Sequence, residues 1–84
     1  MKYHFTECTI NYTDSKRGRK SHDHTYLNVD EKTFNQKLES VERQFQTVVA
    51  ITDNPSVKTV IGNTIAYDIA YGSTHMTYMF TKEN

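Results

Sequence analysis

The chain has 84 residues, 36% hydrophobic and 24% charged, with ten cations balanced by ten carboxylates. A chain this short is expected to fold as a single domain, residues 1–84, because it buries only about 60% of its unfolded surface and supports little more than one helix and one sheet. The zero net charge excludes the overall basic excess of a general nucleic-acid binder, so any such contact must come from local clustering.

Cys8 is the only cysteine, which rules out an internal disulfide and fits a reducing compartment. The opening residues, Met1-Lys2-Tyr3-His4-Phe5, lack the apolar core of a signal peptide. No run approaches the ~20 apolar residues needed to cross a bilayer. The expectation is a cytoplasmic protein with no membrane partner and no required cofactor.

Residues 2–12 read as a strand. Tyr3 and Phe5 point one way and Cys8, Ile10 and Tyr12 the other, so either both faces are partly covered or a bulge shifts the phase near Thr6-Glu7. Residues 13–21 form a polar, glycine-containing connection. A second strand follows over 22–29, with Thr25, Leu27 and Val29 on one face and His22, His24, Tyr26 and Asn28 on the other. The two strands read as a hairpin.

From Asp30 to about Ala50 the apolar residues Phe34, Leu38, Val41, Phe45 and Val48 lie on one helical stripe. Asp30 can cap the first turn, Glu31 adds favourable charge there, and Val29 with Phe34 fits a hydrophobic staple. The run Val48-Val49-Ala50-Ile51 is compatible with the end of that helix or the start of a strand. Pro55 ends whatever precedes it.

Three strands complete the chain: 57–61, a turn at Gly62-Asn63, 64–71, a turn at 72–74, and 75–82. The order strand–strand–helix–strand–strand–strand predicts an α+β fold. Its antiparallel sheet has four to five strands, with the amphipathic helix packed on one face and the other at least partly exposed.

Chemistry-bearing residues concentrate at one place. Lys16, Arg17, Arg19 and Lys20 surround Gly18, and residues 14–24 carry a net +2 that the rest of the chain offsets with −2. Arginine grips two phosphate or carboxylate oxygens at once, so this tip suits an acidic protein surface or phosphates. The plainer reading is a solvated hairpin tip, and the lack of an aromatic residue inside it argues against stacking on single strands.

His22 and His24 lie two apart on one strand, about 7 Å by strand rise. A third ligand from His4, His75 or Asp68 would make a metal site, although no zinc-finger spacing supports one. The pair also has the makings of a general acid and base for phosphodiester cleavage. The plainer reading, which outweighs both, is exposed strand histidines with no special role. The six tyrosines all fall in expected strands, which strand propensity explains. A tyrosine or methionine exposed on the face away from the helix would mark a partner or a homodimer.

No catalytic motif is present, and the plan resembles that of many small phage- or mobile-element-encoded proteins that inhibit a host or defence protein by surface binding. This implies a non-enzymatic, inhibitor-type binding protein docking on a protein partner, such as one that handles nucleic acid. Lys16, Arg17, Arg19, Lys20, His22, His24 and Tyr26 are the candidate partner- or phosphate-binding residues. Direct nucleic-acid binding through the 16–20 segment is the alternative.

Overall fold

The structure, a computed structural model, describes residues 1–12 and 19–84, with residues 19–21 described by backbone alone. The elements run β1 (Lys2–Asn11), β2 (Arg19–Val29), α1 (Glu31–Ile51), β3 (Val57–Ile61), β4 (Thr64–Tyr71) and β5 (Thr74–Glu83). All five strands form one antiparallel sheet in the order β2-β1-β5-β4-β3. The α+β architecture expected from the sequence is the one observed.

Helix α1 starts where its cap is written. Asp30 accepts a hydrogen bond from the Thr33 amide at 3.3 Å, satisfying one of the N–H groups the first turn leaves without a helical partner. The apolar stripe then faces the sheet: Phe34, Val41 and Val48 are buried, and Leu38 and Phe45 pack against the same core. The run through Ile51 continues the helix, and Thr52 ends it in extended backbone. Val49 and Ile51, off the stripe, stay exposed.

The sheet supplies the other half of the core with Phe5, Tyr67, Ile69 and Phe80. Phe34 meets Phe80 edge-on at 5.6 Å between ring centroids, and Phe45 meets Tyr67 at 5.7 Å. Such tilted contacts suit the ring quadrupoles. Helix α1 packs chiefly on β4, β1 and β5, leaving the two edge strands near its margins.

Two hairpins close with two-residue turns, Gly62-Asn63 and Gly72-Ser73. Each places glycine first with positive φ, 58° and 61°, as a type II′ turn requires. Thr74 therefore belongs to β5 rather than to the turn. The helix-side residues of these strands are Ile65, Tyr67, Ile69, Met76, Tyr78 and Phe80, as their alternation implies.

Strand β1 pairs with β5 without interruption from Lys2 to Asn11. No bulge shifts its phase: Tyr3 and Phe5 face the helix, and Cys8 and Ile10 face away. The irregularities lie in its pairing with β2. Tyr3 pairs with Val29 but Phe5 with Tyr26, so one extra residue is inserted where Asn28 adopts φ 55°. This corrects the even alternation expected for β2. The bulge turns Val29 to the same face as Tyr26, and both join the core margin, while Leu27 is exposed. A second irregularity lies between the Thr9–His22 and Ile10–Lys20 pairs.

Candidate functional site

Of the predicted site residues, Lys16 and Arg17 lie outside the described residues. Arg19 and Lys20, expected in the connection, are instead the first residues of β2. Two of the four cations are thus fixed at backbone level on the edge strand, paired with Asn11 and Ile10 of β1.

His22, His24 and Tyr26 come together as alternate residues on the helix-side face of β2. Their rings stack in a row, with His22–His24 centroids 5.0 Å apart and His24–Tyr26 5.4 Å. Tyr26 in turn stacks on Phe5 at 4.7 Å, so four rings run from the core to the outer end of the strand. The two imidazoles sit closer than the strand rise predicts because both rings lean into this stack. Beside them, the Glu7 carboxylate accepts from His22 Nε2 at 2.8 Å and from Lys37 Nζ at 2.6 Å. Burial pushes the Glu7 carboxyl up, but hydrogen bonds and charge from Lys37 and His22 outweigh it and hold the group below the usual carboxylate range.

The third ligands that a metal site would need are not beside the pair. His4, His75 and Asp68 occupy the opposite face of the sheet from His22 and His24, so none can complete their coordination. Among the described residues, no three histidine, cysteine or carboxylate side chains gather to hold an ion. His4 is engaged elsewhere: its Nδ1 accepts from the Asn28 amide at the bulge and its Nε2 contacts Glu83, each at 3.1 Å. His75 contacts Asp68 at 3.3 Å.

The face away from α1 is a second surface, distinct from the His22–Tyr26 row. Across its middle run Thr25, Thr6, Met79, Ala66 and Thr59, one from each strand in register. Met79 is 44% exposed although it sits on the central strand, since the residues flanking it are small. Tyr3, Tyr26, Tyr67 and Tyr78 pack on the helix side, whereas Tyr12, in phase with Cys8 and Ile10, is exposed and meets the His75 ring edge-on at 5.6 Å on the face away from α1. The middle of this face is flat and threonine-lined with Met79 standing up from it, and the exposed Tyr12 lies at its end beside His75.

At the margin of β3, Phe34, Val60, Ile65, Phe80 and Lys82 border a shallow, mainly apolar cleft of about 200 Å³. Nearby, Lys58 reaches Glu42 of α1 at 3.0 Å and lies over the Tyr67 ring. The Tyr67 hydroxyl and Lys58 hold the Glu42 carboxyl below its usual range, while burial and Glu42 push the Tyr67 phenol up.

Glu7, Lys37 and Met79 were not singled out from the sequence. Met79 carries a weak signal, being out of phase with Met76, Tyr78 and Phe80. Lys37 stands one turn beyond Phe34, at the border of the apolar stripe. No known protein family, characterised protein or solved structure matches the chain.

Proposed function

We propose that this chain is a small, non-enzymatic, inhibitor-type protein-binding module, docking through the sheet face opposite α1 and through the cations Lys16, Arg17, Arg19 and Lys20. The observation that carries this reading is Met79, an exposed methionine at the centre of a five-stranded face on which no helix packs among the described residues. Methionine adapts its shape to a partner at modest cost and is enriched in interfaces, and the threonine and alanine around it give a flat, close approach. The His22–His24–Tyr26 row on the other side of β2 adds an edge that a partner wrapping the sheet would also meet.

Capture of a cellular protein by the wild-type chain should weaken about tenfold or more, the equivalent of ~1.4 kcal/mol, in Met79→Glu. It should weaken separately when Lys16, Arg17, Arg19 and Lys20 are all changed to Ala. Capture indifferent to both sets of changes overturns the reading. Retardation of DNA at low salt, with a salt slope of roughly −0.9 per phosphate neutralised, transfers the assignment to direct nucleic-acid binding.

A further inference from the structure

We infer that β3 is a self-association edge: two copies pair their β3 strands antiparallel about a two-fold axis at Thr59, joining two five-stranded sheets into one of ten strands. This does not depend on the docking face proposed above.

β3 is the outermost strand on its side of the sheet. Val57, Val60 and Ile61 are all exposed, Val60 by 62% and Ile61 by 72%. Natural edges are usually guarded by bulges, proline or outward charge. β3 pairs with β4 over its whole length without a register shift, and Pro55 precedes it. Its one charge, Lys58, is drawn inward to Glu42 and the Tyr67 ring. The strand therefore presents a flat, pairable edge.

The second copy is favoured over a foreign strand because β3 is complementary to itself. The two-residue Gly62-Asn63 turn makes Ile61 and Thr64 the closing pair, with their backbone groups directed at each other. By alternation, Thr59 and Val57 also bond inward to β4. Lys58 and Val60 then direct their N–H and C=O groups outward. These two residues lie symmetrically about Thr59, so in the two-fold register each Lys58 exchanges two backbone hydrogen bonds with Val60 of the other copy.

The side chains agree with the same register. On the face away from α1, Val57 stands opposite Ile61 twice and Thr59 opposite Thr59. These are apolar and β-branched cross-strand pairs of the stabilising kind. On the helix side, Lys58 faces Val60 rather than a second lysine, and each Lys58 is already neutralised by its own Glu42. Both helices fall on one side of the joined sheet, and both Met79 faces on the other. A five-residue strand buries less than the ~1,200 Å² of stable complexes, so the dimer dissociates on dilution.

Sedimentation equilibrium from micromolar to millimolar protein should show a reversible monomer–dimer exchange. Val60→Pro removes an outward N–H while sparing the ladder to β4, and should give a monomer at every concentration with unchanged circular dichroism. Val57→Lys and Ile61→Glu should each weaken the dimer. The double variant should restore it, because each new lysine then faces the new glutamate of the other copy. A monomer throughout for the wild-type chain, a dimer that survives Val60→Pro, or a double variant no tighter than the singles each overturns the assignment.

Discussion

The two edges of the sheet are built on opposite principles. β2 is long and broken in register twice against β1, once at the positive-φ Asn28. It carries a stacked row of His22, His24 and Tyr26, with Glu7 and Lys37 tied in beside it. β3 is five residues long, regular in register, and exposed at all three of its large apolar side chains. A bulged, charged strand resists pairing with another chain, whereas a flat apolar one invites it. Apolar content alone does not separate them, since Leu27 of β2 is as exposed as Val60. Regular backbone and the inward turn of Lys58 do.

The most damaging way to erase this contrast is to loosen the seat of α1 on the sheet that both edges belong to. Phe34 is 1% exposed and touches Tyr3 and Phe80, so Phe34→Ala should cost about 3–5 kcal/mol by opening a cavity. That is much of what a small domain has to lose. Chemical denaturation checks it, and a loss under ~1 kcal/mol would show that this end of α1 is not seated. A smaller and more local break is Asn28→Val. A β-branched residue resists the left-handed backbone of the bulge, for about 1–2 kcal/mol. Asn28→Gly should stay within ~0.5 kcal/mol of wild type, because glycine accepts that conformation. If valine and glycine behaved alike, the bulge would not depend on the backbone angle of residue 28.

The same bulge shows where sequence reasoning stops. Helix α1 is legible because its stripe, its Asp30 cap and its polar outer face all agree. The Gly62 and Gly72 turns are legible because glycine in a two-residue loop has a conformational reason to be there. Leu27-Asn28-Val29 reads as plain alternation, and only a backbone angle reveals that Val29 has changed face. The β1–β5 pairing joins the two ends of the chain, a contact no local pattern encodes, and it decides which strands become edges. For the candidate site, period-two spacing was enough to put His22, His24 and Tyr26 together. It could not place Glu7 and Lys37 beside them, since that depends on how α1 lies across the sheet.

The finest test of the β2 edge is its response to acid. Glu7 is held below the usual carboxylate range because Lys37 and His22 outweigh the burial that opposes its charge. A carboxyl whose folded pKa is depressed contributes stability that is fully present above its unfolded value, about 4.3, and is lost as pH falls through the folded value. Glu7→Gln should therefore cost roughly 1 kcal/mol near neutral pH. The difference from wild type should close as both are taken into acid, where the wild-type carboxyl is protonated too. The loss should also be local: amide exchange near neutral pH should quicken in β2, which leans on His22 and the stacked row, and stay unchanged in β3. A difference that persists at low pH would mean that the Glu7 side chain contributes through its shape and packing. The ion pairs with Lys37 and His22 would then not be what secures this edge.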